Sequence, residues 1–234
     1  MAQNLNIVIA GIGTVGSSTI RLIEKNKNIF LRKSGLKINI LGIFAKNKFK
    51  TRNFTKNKYK WFDNPIKMIK QENVDIVLEL IGGDKGIAKE ICYLALKNKK
   101  NLITANKALI ANEGYKLAKL AEENEVKIGF EASVAGGIPI ISTLKKSFNG
   151  IKINKITGIL NGTSNYILSN MFDENNEFNK SLKKAQNLGY AEKKTVNDLN
   201  GLDTLHKIII LSSIAFNKQI DLKKCIHSGI ENLE

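Results

Sequence analysis

Short apolar runs alternate with longer stretches in which apolar residues recur at helical spacing. Leu5 to Ala10 reads as a strand, and Thr14 to Lys25 as a helix with Val15, Ile20, Leu22 and Ile23 available to face a sheet. Strands are predicted at Lys37 to Phe44, Asp75 to Leu80 and Asn101 to Thr104, and a helix from about Lys85 to Lys97. A helix near Glu113 to Asn124 and a strand from Val126 to Phe130 complete the series. Largely apolar strands alternating with helices predict a parallel sheet covered on both faces.

The pattern changes after Phe130. A glycine-rich stretch, Ala135-Gly136-Gly137, leads into Ile138-Pro139-Ile140-Ile141. An apolar strand is predicted over Ile153 to Leu160, then a turn at Asn161-Gly162-Thr163-Ser164. Helices are expected at Tyr166 to Phe172, Phe178 to Leu188 and Asp198 to Phe216. The expected class is α/β: a Rossmann-type doubly wound parallel sheet over 1–130, followed by an α+β catalytic domain over 131–234.

Composition narrows the function classes. Hydrophobic residues make up 43% and charged residues 25%, a globular balance. No apolar run approaches the roughly 20 residues that span a bilayer. Met1 to Asn6 is polar without a signal core, so a cytoplasmic protein with no membrane partner is expected. Cys92 and Cys225 lie far apart, and with His206 and His227 they form neither a disulfide framework nor a zinc site. The net charge of +16 raises the question of nucleic acid, but it is almost all lysine, scattered among asparagines. The densest stretch, Lys46 to Lys60 with Phe49, Phe54 and Tyr59, could form a basic–aromatic patch but reads better as a solvated loop. No nucleic-acid partner is expected. Such a field still attracts anionic cofactors and acidic metabolites.

Strand Leu5 to Ala10 runs into Gly11-Ile12-Gly13-Thr14-Val15-Gly16, a GxGxxG that opens a helix. Gly11 permits the tight turn, Gly13 admits the pyrophosphate and Gly16 lets helix and strand pack closely. The helix N-terminus adds unpaired N–H groups and a positive partial charge. Glycines serving only a tight turn are the bland alternative; the position between strand and helix favours a dinucleotide. Where an acidic residue would select NAD, the sequence has Ala45-Lys46-Asn47-Lys48 with no carboxylate nearby. Lys46 therefore tilts the expected cofactor to NADP, with NAD possible.

Five further segments resemble the homoserine dehydrogenase family in order and spacing. They are Glu79-Leu80-Ile81-Gly82-Gly83, Thr104-Ala105-Asn106-Lys107-Ala108, Phe130 to Pro139, Gly158 to Tyr166, and Gly189-Tyr190-Ala191-Glu192 continuing to Asn200-Gly201-Leu202-Asp203-Thr204-Leu205-His206-Lys207. With the fingerprint they cover nearly the whole chain. The resemblance implies reversible NAD(P)-dependent interconversion of L-homoserine and L-aspartate 4-semialdehyde. It implies Lys207 as the proton shuttle and Lys107 at the cofactor–substrate junction. Glu192 and Asp203 would bind homoserine, with Asp198, Gly162, Thr163 and Tyr190 in support. It adds Gly82, Thr104, Ala105, Lys107 and Gly189 to the cofactor contacts. Glu131, Val134, Gly136 and Ile138 would hold a monovalent cation such as sodium, one carboxylate plus main-chain oxygens suiting a hard cation. A homodimer is expected where the full family fold is present.

Bland readings compete with several of these roles. Asp203 and Lys207, four apart on a helix, make an exposed pair in isolation, and Asp198 makes an ordinary helix N-cap. Two departures from the family pattern bear on function. Lys193-Lys194-Thr195 stand where the family has a small residue or proline and then Asp-Pro, which changes the charge beside Glu192. Family chains also continue beyond the segment resembling His227-Ser228-Gly229-Ile230, completing the catalytic sheet. No kinase-like domain precedes the fingerprint, so a monofunctional enzyme is expected. The alternative is a truncated or degenerate NADP-binding homologue without activity.

Overall fold

The computed structural model describes residues 2–50, 54, 58–191 and 196–233. The chain divides into two compact units, Met1–Gly136 and Gly137–Glu234.

The first unit is built on a five-stranded parallel sheet: β1 (Gln3–Ala10), β2 (Leu36–Phe44), β3 (Ile76–Glu79), β4 (Asn101–Thr104) and β5 (Ile128–Gly129), in the order β2-β1-β3-β4-β5. Ile7, Val8, Ile9 and Ala10 are all buried, as a strand covered on both faces requires. The chain builds outward from β1 first on one side and then on the other. That reversal opens a crevice at the carboxyl ends of β1 and β3, where open α/β sheets take their ligands.

Helix α1 (Thr14–Lys25) buries Gly16, Ser17, Ile20 and Ile23. Val15 and Leu22, expected on the same face, are more than half exposed, because at about 100° per residue they turn roughly 80–160° away from Gly16, Ile20 and Ile23. Two short helices were not evident in the sequence. α2 (Lys27–Ser34) has no buried residue and hence no apolar stripe; it stops at Gly35, which takes the left-handed conformation. α3 (Pro65–Ile69) begins with proline in its first turn, and the Asn64 side chain accepts from the N–H groups of Ile66 and Lys67. α4 (Ile87–Lys97) follows β3. α5 (Lys107–Glu123) starts six residues earlier than expected, because the Asn106 side chain caps it by accepting from Leu109 N–H.

The described secondary structure of the second unit is helical. α6 (Ile140–Ser142) runs into a π-helical turn at Thr143–Ser147. α7 (Gly162–Glu174) and α8 (Phe178–Asn187) share a core of Ile167, Ala185, Ala191 and Leu199, with Tyr166, Met171, Phe178, Leu182 and Ile230 against it. The strand expected at Ile153 to Leu160 is not formed: residues 151–160 have no regular secondary structure. A strand needs a neighbour for its N–H and C=O groups, and among the described residues every ladder lies in the first unit. The single helix expected from Asp198 to Phe216 is two: α9 (Val196–Leu199) and α10 (Leu202–Ala215). Gly201, with φ of +83°, breaks the helix between them.

Candidate functional site

The fingerprint sits at the crevice. Gly11 has φ of +98°, and a Cβ there would lie 2.4 Å from the Leu80 main chain. A Cβ on Gly16 would lie 2.0 Å from the Gly11 carbonyl oxygen. These two glycines permit backbone contacts that no side chain allows. Gly13 differs: nothing lies within 4 Å of where its Cβ would be. It precedes α1, whose N-terminus has no side-chain cap and no acidic residue in its first turn. Open space over bare glycine at an uncapped 12-residue helix suits a pyrophosphate. Ile12 is buried beneath the loop, while Thr14 and Val15 are exposed.

Beyond β2, Lys46, Asn47, Lys48 and Phe49 line a cleft of about 760 Å³ together with Asp63. No carboxylate lies near Lys46 in sequence; the fold supplies one. The Lys48 ammonium is 6.0 Å from the Trp61 ring, and Trp61 bridges back to Ile43 of β2. This contact draws the segment after the loop toward the end of the strand.

At the ends of β3 and β4 lies a network of buried polar groups. Glu79 is fully buried. Its Oε1 accepts from Ile81 N–H at 2.8 Å and Gly82 N–H at 3.1 Å. Its Oε2 accepts from the Thr104 hydroxyl at 2.7 Å. Thr104 Oγ1 in turn accepts from Asn106 N–H at 3.0 Å, and Asn106 Nδ2 donates to the Gly83 carbonyl at 2.6 Å. The Thr104 side chain is thus enclosed and committed to the protein itself, so a cofactor meets its surroundings rather than its hydroxyl. Ala105 and Lys107 are half-buried, and Lys107 is the first residue of α5.

In the second unit, Asn161 gathers the residues expected to hold substrate. Its side-chain oxygen caps α7 by accepting from Ser164 N–H at 2.7 Å. Its Nδ2 donates to Asp198 Oδ1 at 2.7 Å and Asp203 Oδ2 at 2.8 Å. The Lys207 ammonium lies 2.7 Å from that same Asp203 oxygen and donates to the Leu160 carbonyl at 2.6 Å. Asp203 is 4% exposed and Lys207 18%, so this is a largely enclosed ion pair and not a solvated surface pair. Asp198 is no simple N-cap, because its carboxylate takes the Asn161 amide.

Gly162 is the first residue of α7. Thr163 Oγ1 donates to the Tyr190 carbonyl at 2.7 Å, and the Tyr190 and Tyr166 rings stack with centroids 4.6 Å apart. Gly189, one of the expected cofactor contacts, has φ of +80° and sits just before Tyr190. Glu192 and the Lys193-Lys194-Thr195 departure lie outside the described residues. The sequence alone gives the Asn161 side-chain amide no role. The strand-to-helix turn marked its position, but not its pairing with acids 37 and 42 residues away.

The residues expected to hold a cation fall in both units. Glu131 opens a short 3₁₀ turn, Glu131–Ser133; Val134 is buried; Gly136 ends the first unit; and Ile138 belongs to the second. Among the described residues, no group of three or more His, Cys, Asp or Glu side chains is placed to hold a metal ion. Likewise among them, no helix is long and apolar enough to cross a membrane.

The parallel sheet, its switch point and the glycine loop define an α/β protein of the dinucleotide-binding class. Residues 11–131 match the family model "Homoserine dehydrogenase, NAD binding domain", and residues 139–234 match "Homoserine dehydrogenase". The chain is 39% identical to the homoserine dehydrogenase of Neisseria gonorrhoeae, over 98% of its own length and 52% of that protein's. It is 40% identical to that of Helicobacter pylori, over 100% of its own length and 54% of that protein's. Among solved structures, a homoserine dehydrogenase from Thiobacillus denitrificans superposes with a TM-score of 0.89 at 36% identity, covering 99% of this chain and 53% of the other. The chain belongs to the homoserine dehydrogenase family. It spans about half the length of the curated relatives it matches.

Proposed function

We propose that this chain serves the reversible NAD(P)-dependent interconversion of L-homoserine and L-aspartate 4-semialdehyde, in the biosynthesis of threonine and methionine. The observation that carries the proposal is the enclosed Asp203–Lys207 pair bridged to Asp198 by Asn161. It joins a candidate proton donor to two carboxylates suited to an amino-acid substrate's ammonium and hydroxyl groups.

The first unit fits the dinucleotide. The open space over Gly13 and the uncapped start of α1 would hold the pyrophosphate, with Gly11, Ile12, Thr14, Val15 and Gly16 shaping the loop. Gly82, Thr104, Ala105 and Lys107 would shape the crevice at the ends of β3 and β4. When bound, the cofactor supplies hydride chemistry. The protein's part is to bind, orient and move a proton. Lys207 exchanges a proton with the substrate oxygen, and Asp203 orients its ammonium. Glu192 and Asp203 hold the substrate, with Asp198, Gly162, Thr163 and Tyr190 in support. Lys46 favours the 2′-phosphate of NADP, while Asp63 in the same cleft gives NAD a partner for its ribose hydroxyls. A sodium-like cation would be held by Glu131 and the main-chain oxygens of Val134, Gly136 and Ile138. A cytoplasmic location, and a homodimer where the full family fold is present, are the accompanying expectations.

The test is NADPH oxidation by the purified 234-residue chain with aspartate 4-semialdehyde, beside NADH. Turnover supports the enzyme. Cofactor binding without turnover supports the alternative, an inactive NADP-binding homologue.

A further inference from the structure

Glu79 is a fully buried acid held in place by hydrogen bonds. Its partners are two main-chain N–H groups, the Thr104 hydroxyl and the Cys92 thiol, whose Sγ lies 4.0 Å from Oε2. Burial, and then the charge of Glu79, push the Cys92 thiol up, so the carboxylate faces a neutral S–H. Burying a carboxylate is costly unless every oxygen is satisfied. A hydrophobic residue would hold this sheet together without that cost, so the acid at this position calls for a reason beyond packing.

The hydrogen bonds supply one. They close a ring: Glu79 to Ile81 and Gly82, on to Gly83, across to Asn106, back through Thr104 to Glu79. The ring clamps the loop after β3 to the loop after β4. One side of it holds Gly82 and Gly83, with φ of +88° and +83°, and open space stands where a Cβ of either would project. The other side fixes Asn106, the cap of α5, and so sets where Lys107 begins that helix.

We propose that Glu79 is a positioning residue for the dinucleotide: it presets the bare Gly82–Gly83 backbone and the Lys107 end of α5 before the cofactor arrives. The inference rests on the cofactor site proposed above. A preset loop binds more tightly because its ordering need not be paid for on binding.

The test uses the full chain with NADPH as the probe. The dissociation constant is read from nicotinamide fluorescence, and the thermal midpoint is measured on the same samples. Glu79→Gln keeps one carbonyl oxygen but turns an NH2 group toward a main-chain N–H pair or Thr104. Thr104→Val is isosteric and cuts the ring at the hydroxyl. Each raises the NADPH dissociation constant about ten-fold in protein that is still folded. The double variant is no worse than the singles, because both break one ring. Thr104→Ser, which restores the hydroxyl, recovers most of the affinity lost in Thr104→Val. If Glu79→Gln does not fold, the valine–serine comparison at position 104 decides alone. Folded variants that bind NADPH as the parent does overturn the inference and leave the proposed function standing. A parent chain that does not bind NADPH overturns both.

Discussion

Asn161 and Asp203 stand 42 residues apart in sequence and share a buried hydrogen bond of 2.8 Å, and the Asp203 oxygen that receives it also receives Lys207. One carboxylate oxygen thus couples the turn that opens α7 to the helix that carries the lysine. Removing Asn161 should therefore cost more than an ordinary helix cap. Asn161→Ala loses the cap and leaves two acids short of a donor, and the expected destabilisation is about 2–4 kcal/mol in urea unfolding. Asn161→Asp sets a third carboxylate against the other two. It should be worse than alanine at neutral pH, with the gap closing as acid neutralises the cluster.

Lys207→Ala tests the proton shuttle directly. NADPH oxidation should fall by about a hundred- to ten-thousand-fold, with the NADPH dissociation constant unchanged. Loss of cofactor binding in this variant would make Lys207 a structural residue.

Gly13 and Gly16 of the fingerprint should fail in different ways. Gly13→Val should fold with a normal thermal midpoint, because nothing lies within 4 Å of its Cβ position, yet lose NADPH binding by filling the space above the helix end. Gly16→Ala should lower the midpoint whether or not NADPH is present, because its Cβ would meet the Gly11 carbonyl at 2.0 Å. Equal NADPH affinity in Gly13→Val and the parent would place the pyrophosphate elsewhere.

Acid sensitivity has an identifiable contributor. Lys89 donates to Glu113 at 2.8 Å and holds its carboxyl below the ordinary value of 4.5. A depressed carboxyl stabilises the fold above its unfolded value, and that contribution fades as pH falls through the folded value. Lys89→Met should cost about 1 kcal/mol or less at neutral pH, because the lysine is substantially exposed. Urea midpoints of parent and variant should converge toward pH 3; a constant offset would assign the loss to packing.

The parts that the sequence disclosed are the local ones. β1, the glycine loop and α1 follow one another without interruption, and the requirements of a tight βα turn are written in consecutive residues. Asp203 and Lys207 are readable as neighbours because a helix brings positions four apart together. The Glu79–Thr104 bond joins two strands 25 residues apart, and no spacing rule predicts it. Asp63 reaches the Lys46 cleft only because its segment returns beside β2. The strand expected at Ile153 to Leu160 has the right residues, but strand formation also depends on a partner that its own residues do not encode. The break at Gly201 was hidden by the long apolar run after it, although Asn200-Gly201 is an ordinary turn signal.

That break has a consequence for how the site tolerates change. Residues five apart on an unbroken helix point roughly 140° away from each other. Asp198 and Asp203 nevertheless reach the same Asn161 amide, because α9 ends and α10 begins between them. The convergence depends on the number of residues in that joint as well as on their identities. Insertion or deletion of a single residue at Asn200–Gly201 would leave every side chain of the cluster present and both helices able to form, yet aim the two acids at different places. The site is thus more exposed to a change of chain length at this joint than to many substitutions around it.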